Sequence, residues 1–227
     1  NLKVNIAGVS FKNPVITASG CFGFGREYEC MYPLERLGGI SLKGMTYNEK
    51  LGNPPPRIAE TPSGMLNSVG LQNPGVEHFL EHDMPYLAKQ DTVKIANIAG
   101  SSIEDYCAIA ERLSESEIDM FELNISCPNV KQGGAAFGTS CESAERVVKE
   151  VRKYAKKPMI VKLSPNVTDI VSIAKAVEAQ GADAVSLINT LLGMRIDINT
   201  RRPILKNNVG GLSGPAIFPV AVRMVWQ

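Results

Sequence analysis

The sequence predicts an α/β fold, a TIM (β/α)8 barrel truncated after about six βα units and preceded by a small N-terminal β-hairpin. Short apolar strands alternate with amphipathic helices, and the strands are continuously apolar, as in a parallel sheet covered by helices. Polar residues also stand at the C-terminal ends of several strands, which is where a barrel gathers its ligand-binding side chains. We expect residues 1–227 to form a single partial barrel domain.

The hairpin is predicted around Ala7-Gly8, between the apolar segments Val4–Ile6 and Val9–Phe11. Six buried strands follow, each ending close to a polar residue or a glycine. They are predicted at Val15–Ala18, Gly39–Leu42, Val93–Ala96, Met120–Leu123, Met159–Val161 and Ala184–Ile188.

Four helices are predicted from apolar periodicity and end signals. Ser102–Ser114 follows the third strand, and Cys141–Lys156 has lysines in its last turn, where cations favour the helix dipole. Thr168–Gln180 begins at a threonine cap and ends before Gly181. Pro215–Gln227 has proline in its first turn. Since a complete barrel needs about 250 residues, we expect the sequence to be a trimmed chain that lacks about a quarter of the barrel.

Composition excludes several classes of protein. The 24 Lys and Arg residues are matched by 23 Asp and Glu, and 44% of residues are hydrophobic, which argues against a disordered chain and against a basic nucleic-acid surface. No apolar run is long enough for a transmembrane helix. The five cysteines are odd in number and form no Cys-x-x-Cys pair, which argues against a disulfide framework and favours a reducing cytoplasm.

An open doubly wound sheet is the rival architecture. That fold favours a glycine-rich phosphate turn after its first strand, and Gly23-x-Gly25 lacks the third glycine of the fingerprint.

Polar residues at strand ends and in one loop are the candidate ligand-binding set. A single asparagine is often only a turn former. As a set they suit a planar ligand rich in amide-type donors and acceptors, because asparagine offers both on one side chain. The set comprises Lys43, Asn67, Asn97, Asn124, Asn189 and Thr190.

Two further residues could carry chemistry. Cys127, in Asn124-Ile125-Ser126-Cys127-Pro128-Asn129, could be a nucleophile, a general base or a buried packing residue. Lys162 ends the fifth strand and could be a Schiff-base lysine, a fixed cation beside an anionic cofactor, or a lysine that reaches solvent.

Two motifs carry weaker signals. The Gly210-Gly211-Leu212-Ser213-Gly214-Pro215 stretch precedes a helix and could host an anion or a flat ring, or be an ordinary loop. His78-Phe79-Leu80-Glu81-His82 matches an inverted zinc-protease motif. Its polar residues are predicted to face solvent on a helix that Pro74 and Pro85 confine to about two turns, so no metal site is expected.

Five segments together resemble the dihydroorotate dehydrogenase family. They are Ala18-Ser19-Gly20-Cys21-Phe22-Gly23-Phe24-Gly25, Ser41-Leu42-Lys43-Gly44, Asn67-Ser68-Val69-Gly70-Leu71-Gln72-Asn73-Pro74-Gly75, Asn124–Asn129 and Ile188-Asn189-Thr190. Cysteine at position 127 resembles class 1, and the Phe-Gly-Phe-Gly segment with Val130–Gly134 resembles class 1B, the NAD-linked catalytic subunit.

The resemblance implies a bound FMN and the oxidation of dihydroorotate to orotate in pyrimidine biosynthesis. Cys127 would take the C5 proton while C6 delivers hydride to flavin N5, and Lys162 would stabilise reduced flavin. The implied FMN-binding residues are Ser19, Lys43, Gly44, Asn97, Asn124, Lys162, Ile188 and Gly214. The implied substrate-binding residues are Lys43, Asn67, Ser68, Val69, Gly70, Leu71, Asn124, Asn189 and Thr190.

The resemblance also implies a homodimer of this subunit joined to an electron-transfer subunit that carries FAD and a [2Fe-2S] cluster, with NAD⁺ as acceptor. Three alternatives stay open. They are a dihydropyrimidine dehydrogenase-like flavoenzyme, against which Asn129 argues, a Schiff-base aldolase using Lys162, and a barrel used only for assembly.

Overall fold

The computed structural model describes residues 2–126 and 137–227. In chain order the strands are β1 Val4–Ile6, β2 Val9–Phe11, β3 Ile16–Thr17, β4 Gly39–Ser41, β5 Ile58–Thr61, β6 Gly64–Asn67, β7 Val93–Ile98, β8 Met120–Asn124, β9 Met159–Lys162, β10 Ala184–Ser186, β11 Leu191–Met194, β12 Ile196–Asp197, β13 Arg202–Pro203 and β14 Val209–Ser213. The α-helices are α1 Val76–His78, α2 Met84–Leu87, α3 Ile103–Ser114, α4 Cys141–Arg152, α5 Ile170–Ala179 and α6 Phe218–Trp226. None of the helices in these two ranges is long and apolar enough to cross a lipid bilayer.

Six strands form one parallel sheet in the order β10-β9-β8-β7-β4-β3. Every neighbouring pair in it is parallel, and the helices α3, α4 and α5 connect successive strands. The architecture is therefore the predicted partial TIM barrel, and the six predicted strands are confirmed. The open doubly wound alternative predicts a crossover order that this sheet does not have.

The two faces of the sheet differ in composition. The outward residues Phe121, Leu123 and Val161 are fully buried in the main core with the apolar sides of the three helices. Pairing register then assigns alternate residues to the inner face, where Asn97 is opposite Glu122 and Asn124 is opposite Lys162. The polar residues of the inner face are thus concentrated towards the C-terminal ends of the strands.

The N-terminal hairpin closes the opposite end of the sheet. Val4 pairs with Phe11 across β1 and β2, as predicted. The Phe11 ring is fully buried and belongs to a separate cluster with Ile95, Met120 and Ile160 of the inner face. Because this end is filled by apolar side chains, ligand chemistry is confined to the other end.

A second sheet, which the sequence did not indicate, lies in the segments that follow β4 and β10. It is antiparallel, with the order β11-β14-β6-β5. Most of the Gly210–Pro215 stretch belongs to its strand β14, so the ordinary-loop alternative was wrong, whereas contact with an anion or a flat ring stays a prediction. Glycine is required there because a Cβ at Gly211 would collide with the side chain of Thr190 and one at Gly210 with Asn67.

Helix ends differ from the predictions for identifiable reasons. Asp169, rather than Thr168, caps α5, since its carboxylate accepts a hydrogen bond from the Ser172 amide at 3.1 Å. The helix α4 ends at Arg152, and the chain then turns to bury Ala155. The predicted last helix begins as a 3₁₀ turn, Pro215–Ile217, before α6.

Pro85 does not end the helix that carries the zinc-protease-like motif. A π-helical turn, Phe79–Asp83, joins α1 to α2, and Pro85 lies in the first turn of α2. Proline is tolerated in the first turn of a helix, because the backbone N–H that it lacks would have no intrahelical partner there. The prediction of a helix limited by Pro85 was therefore wrong.

Candidate active site

The C-terminal ends of the parallel strands bring most of the predicted polar residues to one side of the sheet. Asn97 lies within β7, Asn124 and Lys162 end β8 and β9, and Lys43 follows β4 by two residues. The register of β7, β8 and β9 places Asn97, Asn124 and Lys162 on the inner face. The bridge between Met45 and Ile98 is shifted by one residue from the β4–β7 register, so pairing alone does not assign a face to Lys43. The expectation of a shared face is thus supported for Asn97, Asn124 and Lys162, and it stays a prediction for Lys43.

Lys43 is half-buried, and the charged groups that act on it are Arg57 and Cys21. Its backbone N–H donates to the Gly23 carbonyl at 2.9 Å, which ties it to the Phe22–Gly25 turn. Burial lowers the pKa of Lys43, the positive charge of Arg57 lowers it further, and Cys21 opposes the shift. Two cations held close together in a partly desolvated site favour an anionic ligand.

A buried carboxylate that the sequence analysis did not select lies below Asn97. Glu122 Oε2 accepts hydrogen bonds from Ser41 Oγ at 2.7 Å and from Asn97 Nδ2 at 2.6 Å, and its Oε1 accepts from Ser186 Oγ at 2.9 Å. Asn97 Oδ1 is buried with no hydrogen-bond partner among the described residues. The available signal was an acidic residue inside the apolar strand Met120–Asn124.

Asn124 joins two strand ends. Its Oδ1 accepts from Asn189 Nδ2 and from the Ser126 amide, both at 3.3 Å, and Tyr106 Oη donates to its backbone carbonyl at 2.7 Å. Lys162 lies directly opposite on β9, and within residues 2–126 and 137–227 its Nζ forms no hydrogen bond or ion pair. Among the described residues, nothing therefore competes with a ligand for this cation.

The antiparallel sheet holds the Asn67–Leu71 segment near Asn189 and Thr190. Asn67 ends β6 and pairs with Gly211, against which the Thr190 side chain packs. The loop is fixed by Asn73, whose Nδ2 donates to the Leu71 carbonyl at 2.7 Å, and Ser68 Oγ is buried with no partner in the part of the chain described. Two candidate substrate-binding segments that are distant in sequence are thus neighbours.

Several predicted site residues are not placed in this cluster by direct contacts. Ser19 follows the short β3 and is half-buried, and Ile188 packs against the main core. Gly214 directly follows β14 and lies against Gly64, whereas Asn67 pairs with Gly211 in the middle of that strand. Cys127 lies outside the described residues, so its assignment stays a prediction, as do the ligand roles of the other residues.

The histidine motif does not form part of the site. His78, Glu81 and His82 are exposed, as predicted, and the two imidazole rings stack with centroids 4.2 Å apart. No cluster of three or more metal-ligating side chains occurs within residues 2–126 and 137–227.

The inner-face residues fit a flavin. Its isoalloxazine ring is flat and carries amide-type donors and acceptors at one edge, and its reduced form is anionic. Lys43 and Lys162 supply positive charge, while Asn97 Oδ1 and Ser68 Oγ are buried polar atoms without partners among the described residues. Unpaired buried polar groups are uncommon in folded proteins, so a ligand that pairs with them is consistent with this site.

Comparisons with known proteins identify similar chains. Residues 1–227 match the family described as dihydroorotate dehydrogenase. Over 227 residues the chain is 62% identical to a protein of Alkaliphilus metalliredigens, 61% identical to one of Alkaliphilus oremlandii and 59% identical to one of Listeria welshimeri. All of this chain and 75% of each relative are covered, and each relative is named dihydroorotate dehydrogenase B (NAD(+)), catalytic subunit.

Proposed function

The chain belongs to the dihydroorotate dehydrogenase family, and on that premise we propose that it oxidises dihydroorotate to orotate with FMN in pyrimidine biosynthesis, with NAD⁺ as the final acceptor. It is an oxidoreductase acting on a CH–CH bond. The observation that carries the proposal is the alignment of Asn97, Asn124 and Lys162 on the inner face at the carboxyl ends of parallel strands, with Lys43 in the segment that follows β4. In a TIM barrel, that end holds the active site.

The substrate is an anion, and the chain supplies cations and amides to hold it. Lys43, whose neighbourhood already contains Arg57, binds the substrate carboxylate. Asn67–Leu71, Asn124, Asn189 and Thr190 hydrogen-bond the ring amides, since an asparagine can both donate and accept. The Asn189–Asn124 hydrogen bond at 3.3 Å fixes two of these side chains relative to one another.

Catalysis in this proposal divides between a base and an electron acceptor. Cys127 removes the C5 proton, because a thiolate placed beside the substrate is a competent general base. A bound flavin supplies the acceptor for the hydride that leaves C6. Lys162, with Ser19, Gly44, Asn97, Ile188 and Gly214, holds the flavin, and its ammonium group stabilises negative charge on it.

Electrons must then leave the catalytic subunit. The relatives are named as catalytic subunits, which implies a partner subunit. We place FAD and a [2Fe-2S] cluster on that partner and a homodimer of this chain at the centre of a heterotetramer. No cysteine cluster suited to an iron–sulfur centre occurs within residues 2–126 and 137–227, which supports an external carrier.

The test is anaerobic titration of the flavin-loaded protein with dihydroorotate, followed by absorbance. We expect the oxidised flavin bands to bleach stoichiometrically and the oxidised colour to return when NAD⁺ and the partner subunit are added. Dihydrouracil is the matched control, because it lacks the carboxylate that Lys43 binds. If dihydrouracil bleaches the flavin and dihydroorotate does not, the result would instead support the dihydropyrimidine dehydrogenase-like alternative.

Borohydride trapping separates the aldolase alternative. A Schiff base on Lys162 would give an irreversible adduct with a carbonyl substrate. Under our proposal no such adduct forms and Lys162 stays unmodified. If the protein binds no flavin and borohydride traps no adduct on Lys162, the alternative that remains is a barrel used only for assembly.

A further inference from the structure

The carboxylate of Glu122 is buried among neutral donors. Only 6% of the residue is exposed, and it forms no ion pair with any residue in 2–126 or 137–227. It lies on the inner face, because it pairs in register with Asn97 and shares the face of Asn124. A carboxylate is expensive to bury, so its hydrogen bonds are the reason that it is tolerated there.

Three donors from three other strands converge on this carboxylate. Ser41 of β4 and Asn97 of β7 donate to Oε2 at 2.7 and 2.6 Å, and Ser186 of β10 donates to Oε1 at 2.9 Å. An ionised carboxylate can only accept hydrogen bonds. It therefore selects one orientation of the Asn97 amide, with the nitrogen facing Glu122 and the oxygen facing away.

The oxygen that this orientation presents is an unused acceptor. Asn97 is fully buried, and its Oδ1 has no hydrogen-bond partner among the described residues. It lies beside Gly44, where an added Cβ would be only 2.8 Å from it. The oxidised flavin ring has a single N–H donor, at N3, whereas its other polar ring atoms are acceptors.

We propose that Glu122 is a positioning residue that orients Asn97 so that Oδ1 accepts a hydrogen bond from N3–H of the bound flavin. The inference rests on the flavin of the proposed function and concerns how that flavin is recognised. Without the carboxylate, the Asn97 amide can turn and present its NH₂ group, which cannot pair with N3–H. Glu122 thus makes the site selective for a ring that has a donor at this edge.

The experiment compares FMN with 3-methyl-FMN, which lacks the N3 donor, in binding titrations of the flavin-depleted protein. The wild type should prefer FMN by about tenfold, which corresponds to about 1.4 kcal/mol. Asn97→Ala, which removes the acceptor, should lose that preference, and Glu122→Ala should lose it equally. Glu122→Gln keeps an acceptor for the Asn97 nitrogen and should retain the preference within about twofold.

Ser186→Ala is the matched control, because it removes one donor to Glu122 without touching Asn97. It should bind both flavins with an unchanged ratio. As a second readout, the ¹⁵N resonance of N3 in labelled FMN should move between wild type and Asn97→Ala, and Glu122→Ala should match Asn97→Ala.

Several results would overturn the inference. If wild type and Asn97→Ala prefer FMN over 3-methyl-FMN by the same factor, Asn97 Oδ1 does not accept from N3–H and the inference fails. This result needs no Glu122 variant, so it stands even if Glu122→Ala fails to fold. The inference also fails if Glu122→Ala folds and keeps the wild-type ratio of affinities for FMN and 3-methyl-FMN. It fails likewise if Glu122→Gln is as unselective between the two flavins as Asn97→Ala. A wild type that binds neither flavin would overturn the proposed function with it, whereas the other results leave that function intact.

Discussion

Burial lowers the pKa of Lys43, and the positive charge of the neighbouring Arg57 lowers it further. Arg57 is itself anchored, since its Nη1 donates to the Asn53 carbonyl at 3.3 Å and its Nη2 to Gln72 Oε1. These two contacts hold the guanidinium in the neighbourhood of Lys43. A bound carboxylate would offset the repulsion between the two cations.

Replacement of Arg57 should move the alkaline limit of orotate binding. Orotate is attracted by protonated Lys43, so its affinity is lost as the pH rises through the pKa of Lys43, which lies below the usual 10.5. Arg57→Gln removes a repulsive charge, which raises that pKa and moves the limit to higher pH. Affinity at neutral pH should fall, because one attractive cation is lost. The measurement is orotate affinity by titration from pH 6 to 10.5.

Arg57→Lys keeps the charge and is the control for that experiment. Its alkaline limit should coincide with that of the wild type. If Arg57→Gln and Arg57→Lys have the same limit, Arg57 does not set the pKa of Lys43.

Lys162→Ala should lower the reduction potential of the bound flavin. A charge-assisted contact is worth about 1.5–3 kcal/mol, which corresponds to roughly 30–65 mV for a two-electron couple. Its loss destabilises the anionic reduced form and slows reduction by dihydroorotate. Dye-equilibration potentiometry measures the shift. Lys175→Ala, on the exposed side of α5, removes an equal charge and should leave the potential within a few millivolts; equal shifts in both variants would remove Lys162 from this role.

Asn73→Ala should loosen the substrate-binding loop. The buried Asn73 accepts from the Thr46 and Gly75 amides at 3.1 and 2.9 Å and donates to the Leu71 carbonyl at 2.7 Å. Removal leaves these buried groups unpaired and should cost about 2–4 kcal/mol of unfolding free energy. Orotate affinity should fall in parallel. Denaturant unfolding and orotate titration check this, and the exposed Asn48→Ala should change neither.

Phe11→Ala should be among the most destabilising substitutions in the N-terminal hairpin. The fully buried ring packs into the inner-face cluster, and its Cε1 would lie 2.9 Å from a Cβ at Gly39. A large-to-small change at such a site costs about 3–5 kcal/mol. Leu2→Ala is the matched control, because Leu2 is 70% exposed. Denaturant midpoints that agree for both variants would mean that the hairpin does not close the sheet.

The strands of the hairpin could be predicted from the sequence, but its place in the fold could not. Its two strands were predictable because Val4–Ile6 and Val9–Phe11 flank a turn, and the six parallel strands because each is a short apolar run. Local pattern could not reveal that Phe11 fills the end of the sheet, because that contact depends on strands far along the chain. The same holds for β6 and β14, whose pairing of Asn67 with Gly211 spans 144 residues.

The candidate site was predictable where a polar residue ends an apolar strand, as at Asn124 and Lys162. Arg57 and Glu122 were missed for different reasons. Arg57 lies outside the parallel strands, and its effect on Lys43 exists only after folding. Glu122 sits within an apolar run, and a buried carboxylate is recognised only when its three donors are seen together.

Cys127→Ala should slow flavin reduction by dihydroorotate by about 10²–10⁴-fold, the usual contribution of a general base. An unperturbed thiol has a pKa near 8.5, so the wild-type rate should rise with pH as the thiolate forms. Cys127→Ser should be slow at neutral pH and recover only in strong base, because a hydroxyl is far harder to ionise. Stopped-flow bleaching of the flavin from pH 6 to 10 measures all three proteins.

Orotate binding separates a lost base from a damaged site. Affinity in this proposal rests on Lys43 and the asparagines, so both Cys127 variants should bind orotate within about twofold of the wild type. Cys30→Ala is the matched control, since Cys30 is an exposed thiol that is not among the candidate site residues. It should keep the wild-type pH profile for reduction. If Cys127→Ala reduces its flavin within threefold of the wild-type rate, another group removes the C5 proton, because loss of the general base should slow the reaction by at least about 10²-fold.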